Sequence, residues 1–222
     1  MIKNLARCFS AAAFAFCAHG AYASIIITPT PGSNTGTDNI IFASPCVGTN
    51  SGPALTVQGC LNTSHSTLVN FTSNENLVAN GGQARIQAEV GTFNNLMINL
   101  NPLATSSFTA LIFNINTAAS DTGIVTINVQ PIGEGLFSQS FAIANGQNFF
   151  RVDAIDDEHI QFVSFLSTGI GMESVAFDDV RQVRIGGLGG PNTISAVPEP
   201  GTLGLLALAL AALGSGVRRR AR

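Results

Sequence analysis

Three observations predict an all-β body, built as an antiparallel β-sandwich or jelly roll. Short apolar runs recur about every ten residues, the gaps between them are filled with Asn, Gly, Ser, Thr and Pro, and no amphipathic helix long enough for a parallel crossover intervenes. No internal repeat stands out, which argues against a β-solenoid.

The runs begin at residues 25–27 and 40–42, separated by a turn-rich stretch over 29–38. Residues 55–57 follow, and then 67–72 and 76–79, two short strands joined by a Ser-Asn-Glu turn. The clearest period lies at 83–90, where Ala84, Ile86, Ala88 and Val90 alternate with Gln83, Arg85, Gln87 and Glu89. Period two over that length is a half-buried strand with one wet face. Residues 96–100, 108–115, 124–130, 137–143, 149–154, 160–166 and 175–185 continue the series. In the last, Phe177 and Val180 cannot both face the core of a regular strand, so a bulge or strand entry is predicted at Asp178 and Asp179. The body spans residues 24–190, and Pro191 opens a short linker over 191–196 that follows two glycine pairs.

Charge narrows the partners. The chain has 10 basic and 13 acidic residues among 222. Its only lysine, Lys3, lies near the N-terminus and four arginines lie after residue 217. Between residues 24 and 196 only Arg85, Arg151, Arg181 and Arg184 face twelve acidic residues, a formal charge of −8. Nucleic-acid binding needs a basic stripe that releases phosphate counterions, and this body has none.

Both ends read as addresses, an N-terminal signal peptide and a single C-terminal transmembrane helix. Residues 1–23 combine Lys3 and Arg7, an apolar stretch too short to span a bilayer, and a small-x-small cleavage site, Ala21-Tyr22-Ala23. Cys17 does not make a lipoprotein signal, because bulky Phe16 stands before it. Cys8 and Cys17 leave with the leader, so the exported chain keeps Cys46 and Cys60. In an oxidising compartment these are expected to pair, closing a loop of about 15 residues worth about 3 kcal/mol. No second Cys or His pair stands at zinc-like spacing.

Little of the body suggests catalysis. His65 and His159 are the only histidines left, and neither belongs to His-Glu-x-x-His. The stretch Gly48-Thr49-Asn50-Ser51-Gly52 lacks the spacing of a nucleophile elbow, and Gly133-Glu134-Gly135 is too short for a nucleotide loop. His65 reads as a turn residue, and no nucleophile–base pair is visible. Two acidic groups are the sharp local features. Asp156, Asp157 and Glu158 fall at a turn, where they are either a solvated turn bonding nearby amides or ligands of a structural calcium ion. The EF-hand pattern fails, because the glycine it requires at the sixth position is Glu158. Asp178 and Asp179 form the second candidate set.

Phe177-Asp178-Asp179-Val180, with Gly146-Gln147-Asn148-Phe149-Phe150 and the run at 160–166, resembles the closing strands of bacterial carbohydrate-binding jelly rolls. In that group such aspartates hold a structural calcium or a loop. Glycan platforms use exposed aromatic faces, and this chain has no Trp, while its one Tyr, Tyr22, lies in the leader.

The tail runs Val197-Pro198-Glu199-Pro200, then an apolar segment over about 202–217, then Arg218, Arg219, Arg220, Ala221 and Arg222. These parts in this order resemble a PEP-CTERM sorting region, the mark of an exosortase substrate. The resemblance implies a Gram-negative bacterium that makes exopolysaccharide, and processing near Pro198–Pro200 by a membrane-embedded exosortase after passage through the secretion machinery. The physics of the segment agrees: its apolar residues span roughly 25 Å as a helix, just short of a hydrocarbon core, so the chain is in the membrane before processing. Its alanines and glycines give a small-faced helix, and the arginines hold the end in the cytoplasm. A plain permanent anchor is the alternative, although it would not require Pro-Glu-Pro. The function expected from these readings is a non-enzymatic structural or adhesive component of a surface or biofilm matrix. A calcium-assisted carbohydrate-binding module is the alternative, and an extracellular hydrolase stands third, since no nucleophile–base pair is visible.

Overall fold

The computed structural model describes residues 25–30, 32–81, 84–117, 122–169 and 175–189. The residues expected to form a signal peptide, with Ala21 and Ala23, lie outside the described residues. So do Val197, Pro198, Glu199 and Pro200, the segment about 202–217, and Arg218, Arg219, Arg220 and Arg222.

Every named element is a strand. They are β1 (Ile25–Pro29), β2 (Thr37–Ile41), β3 (Ala54–Leu61), β4 (Leu68–Asn80), β5 (Arg85–Ala88), β6 (Asn95–Asn101), β7 (Ala110–Thr117), β8 (Gly123–Pro131), β9 (Phe137–Ile143), β10 (Gly146–Ala154), β11 (Ile160–Gly169) and β12 (Phe177–Gly186). The strand pairings among the described residues are antiparallel, in the order β1-β10-β7-β12-β2-β3-β4-β6-β11-β8-β9, with β5 joining β12 to β4.

That ribbon folds back on itself. Phe113 of β7 stacks on Phe165 of β11 with ring centroids 4.9 Å apart, although five strands separate the two along the ribbon. Phe141 of β9 meets Phe150 of β10 at 5.3 Å, and Phe165 meets Phe177 of β12 at 5.8 Å. Such contacts are possible only face to face across a core, so the all-β sandwich expected from the alternation is what forms. One layer is β1-β10-β7-β12 with β5 and β2, and the other is β3-β4-β6-β11-β8-β9.

Alternation decides which side chains fill the core. Val125, Ile127 and Val129 of β8 are buried while Thr126, Asn128 and Gln130 are not. On β5, Ile86 and Ala88 are buried, and Ala84 just before it is as well. The predicted strand at 83–90 is shorter than the alternation suggests: β5 stops at Ala88, and Val90 is 85% exposed. The chain turns at Gly91, which has φ +72, so Val90 loses its partner strand before it can reach the core.

The expected Ser-Asn-Glu turn is absent. Residues 68–80 form one strand that changes partners, pairing with β3 and β6 over Leu68–Thr72 and with β5 over Leu77–Asn80. Ser73 is buried and its hydroxyl donates to the Asn95 carbonyl, a tie to β6 that holds the backbone extended where a turn composition predicts a reversal. Cys46 and Cys60 are joined as expected, with Cα atoms 5.7 Å apart. The loop they close lies against β3 and β4 through Asn50 and Ser51, whose carbonyls accept from the amides of Gln58 and Ala79. Gly52, at φ +91, has no room for a Cβ beside the Leu77 carbonyl.

Candidate functional site

Bulges in β12 create the site. Phe177 and Val180 are both fully buried, and the register against β7 shifts between Phe177 and Asp179, as the sequence predicts. A second shift lies between Arg181 and Arg184, where Gln182 takes φ +55. Period two would send residues 181 and 184 to opposite faces. The extra residue resets the phase, so that Val180, Val183 and Ile185 all enter the core while Arg181 and Arg184 both point outward. A non-glycine residue held in the left-handed region costs of order 1 kcal/mol, and such strain persists where the surroundings impose it.

The registers carry the pattern across the layer. Arg184 stands opposite Ile112 of β7 and Asn39 of β2, and Ile112 stands opposite Arg151 of β10. Arg181 stands opposite Asn114 and Arg85, and Asn114 opposite Phe149. All four arginines of the described body are therefore on one outer face.

Three of them are neutralised in place. Asp179, with no exposed side-chain surface, accepts from Arg85 at 2.9 Å and from Arg181 at 2.6 Å. Arg181 Nη2 adds a bond of 2.8 Å to Asp179 Oδ2. Arg151 donates to Asp153 at 2.7 Å, and these hydrogen bonds raise the guanidinium pKa against the smaller lowering by burial. Arg151 Nη1 also donates to the Ser33 carbonyl at 3.1 Å, tying the β1–β2 loop down over the sheet.

That loop and the arginine face enclose a groove of about 440 Å³, lined by Thr30, Ser33, Asn34, Asn39, Ile112, Phe149, Gln182 and Arg184, with Gly32. The volume lies within the usual range of small-molecule sites. Phe149 and Ile112 supply an apolar floor, and hydroxyls, amides and one guanidinium supply the polar points. Gly186 keeps the wall close, because a Cβ there would strike the Gly36 carbonyl. The site residues are scattered from 30 to 184, which is why the sequence alone does not single them out.

The sequence-predicted acidic residues fall elsewhere. Asp156 and Asp157 occupy the exposed β10–β11 turn with φ +57 and +62, and the Glu158 amide donates to the Ile155 carbonyl at 3.2 Å. Desolvation first, and then Glu134, raise the Glu158 carboxyl above its usual pKa; Asp156 adds to this and His159 opposes it. Asp178 is half-buried on β12, and both oxygens of Asp179 are taken by arginines. Among the described residues no three His, Cys, Asp or Glu side chains come together as a metal-binding group. Calcium prefers six to eight oxygens, and a carboxylate already shared by two guanidinium groups is a poor donor for it.

One pair escaped the sequence reading. Ser107 Oγ and His159 Nδ1 lie 3.3 Å apart, 52 residues apart in the chain. Ser107 is 1% exposed and its carbonyl accepts from the Gly189 amide at 2.8 Å, with no space for a Cβ on Gly189. A hydroxyl sealed beneath the end of the chain segment after β12 cannot meet a substrate, so the pair is a structural tie. His65 sits in the turn before β4, as expected.

No curated protein matches the chain. Among solved structures the fold is similar to family 29 carbohydrate-binding modules. A lysine-to-alanine variant of the module CBM29-2 matches with a TM-score of 0.32 and 16% identity, covering 67% of this chain and 87% of that one. A further structure, described as a family 29 carbohydrate-binding module, has a TM-score of 0.32 and 15% identity, covering 73% and 87%. At that distance no ligand or residue role is carried across. The tail is different, because residues 196–220 match a family model described as the PEP-CTERM protein-sorting motif. The chain therefore carries the PEP-CTERM sorting signal that its Pro-Glu-Pro, apolar run and arginine cluster suggest, which marks it as an exosortase-sorted exported protein of a Gram-negative bacterium.

Proposed function

We propose that this chain is a non-enzymatic protein of the cell surface or extracellular matrix, which holds exopolysaccharide in the groove between the β1–β2 loop and the arginine face. The sorting motif supports delivery to that place. The observation that carries the binding reading is the composition of the groove: one half-buried aromatic ring, Phe149, faces a ring of amide and hydroxyl donors and acceptors. Sugars present alternating C–H faces and hydroxyl edges, and a shallow site with an apolar floor and several neutral polar groups matches both.

The reading is tested by affinity electrophoresis of the full chain in mild detergent through gels containing neutral and acidic polysaccharides. Retardation by at least one polysaccharide is expected, weakened about tenfold by Asn39→Ala or Phe149→Ala. Migration unaffected by every polysaccharide would end the reading. Delivery is tested by replacing Pro198, Glu199 and Pro200 with alanine. Retention in the inner membrane is expected, and normal release would reduce the tail to an ordinary anchor.

A further inference from the structure

Resting on that reading, we infer that the groove selects an acidic sugar, one carrying a carboxylate such as a uronic acid residue, and that Arg184 is the group that receives its charge. The four arginines of this face differ in one respect. Arg85, Arg181 and Arg151 each have a carboxylate at ion-pair distance, two sharing Asp179 and one using Asp153. Arg184 has neutral partners only. Its Nε donates to Thr37 Oγ1 at 3.1 Å, its Nη2 to the Thr37 carbonyl at 2.9 Å, and its Nη1 to Asn39 Oδ1. Among the described residues no acidic side chain forms a salt bridge with it.

These bonds use three of the five N–H donors of a guanidinium, leaving one on each Nη. The neutral partners therefore fix where the group sits without cancelling its charge. None of the residues lining the groove is acidic, and Arg184 is the only charged one. A neutral sugar would leave the charge uncompensated while removing water from it. A carboxylate would accept the remaining donors in charge-assisted bonds, roughly twice as strong as neutral ones. Thr30, Ser33, Asn34 and Gln182 remain for the hydroxyls of the same ring.

The acidic body carries Asp38 beside Asn39, and that carboxylate accepts from the Thr63 amide and hydroxyl, each at 2.7 Å. Its densest carboxylates, Asp156 to Glu158, lie beyond the end of β10 farther from Phe149, and charges are screened over about 8 Å at physiological ionic strength. Binding should accordingly depend weakly on salt, unlike attachment of a polyanion to a broad basic patch.

The test is isothermal titration of the full chain in mild detergent at about 0.15 M salt. The probes are oligomers of glucuronate, galacturonate and mannuronate, each beside its methyl ester. The free acid of at least one is expected to bind about tenfold or more tightly than its ester. Arg184→Gln should bring the ratio of acid to ester affinity to about one, whatever it does to ester binding itself. Asn39→Asp, which sets a carboxylate against the intact Arg184, should do the same. Thermal unfolding of both variants identifies any loss that comes from misfolding, and the second variant keeps the test open if the first is unstable. Equal binding of acid and ester, or an Arg184→Gln effect of the same size on both, would overturn the acidic-sugar inference and leave polysaccharide binding standing. Failure of all these probes, with neutral polysaccharide still retarding the chain in gels, overturns it equally. Failure in both formats removes the binding reading as well.

Discussion

The two outer faces of the sandwich are covered by different chemistry. On β10, β7, β12 and β5 stand Arg151, Arg181, Arg184 and Arg85, with Asp153 and Asp179 between them. On the other layer, the cross-strand row Thr56, Thr72, Met97, Ser164, Asn128 and Ser138 has no charge, and neither does the row Gln58, Asn70, Asn99, Phe162 and Gln130. Neighbours there are joined by neutral bonds, such as Thr126 to Ser140 at 2.9 Å and Gln58 to Asn70 at 2.7 Å. Central strand β7 shows what the difference does. Its outward Ile112 and Asn114 are buried under the long arginine side chains and the β1–β2 loop, whereas on the other layer outward Asn99 is buried but Met97 and Asn128 stay partly open. Long charged side chains roof their layer and border a groove of about 440 Å³, while short neutral ones border a smaller hollow of about 320 Å³ beside Thr72, Met97, Asn128 and Ser164.

The contrast can be broken at its strongest point by Asp179→Ala. Two guanidinium groups would lose a shared buried acceptor and face one another, and a loss of about 3 kcal/mol in urea unfolding is expected. Arg85→Ala should cost only about 1 kcal/mol, because the Arg85 side chain is 52% exposed and Arg181 still holds the carboxylate. A loss below 1 kcal/mol for Asp179→Ala would mean that the arginine face is not held together by its ion pairs. On the neutral face Thr126→Val removes one exposed cross-strand bond, and about 0.5 kcal/mol is expected, unchanged between low and high salt. A cost rivalling Asp179→Ala would erase the distinction between the faces.

The smallest effect concerns Glu158. Its folded pKa is raised, so the folded state holds its proton more tightly than the unfolded chain does. Stability is therefore lost as pH rises from the unfolded carboxyl value through the folded one, and is fully present below both. Glu158→Gln should raise the unfolding midpoint slightly at pH 7 and not at pH 3. The same small gain at both pH values would show that charge is not its cause.

Much of the fold is legible in the sequence, because a strand with one wet face writes its own period. Ala84, Ile86 and Ala88, and Val125, Ile127 and Val129, occupy the core as their spacing requires. The first bulge is legible too, since Phe177 and Val180 are three apart and both apolar. Val180 and Val183 repeat that spacing and mark the second bulge, a signal present in the sequence and not read there. What periodicity cannot convey is which strand lies beside which. Arg184 and Asn39 are 145 residues apart, and the groove exists only because β12 pairs with β2 and β7 at once. The turn composition of Ser73, Asn74 and Glu75 misleads for the same reason, since a partner strand overrides local preference. An acidic run does not convey its partners either: Asp179 is committed to guanidinium groups from β5 and from its own strand.

The position of β12 has a mechanical consequence. It is an interior strand, paired with β7 on one side and with β2 and β5 on the other, and it ends at Gly186, two residues beyond Arg184. In the sequence this strand also leads into the linker and sorting tail. If the tail holds the chain in a membrane and a polymer is bound at Arg184, as proposed, tension on that polymer would leave the domain through this one strand rather than through the edge strands β1 and β9. The load would be borne as shear by hydrogen-bond ladders on both flanks of β12. Removal of the tail would end that line of force.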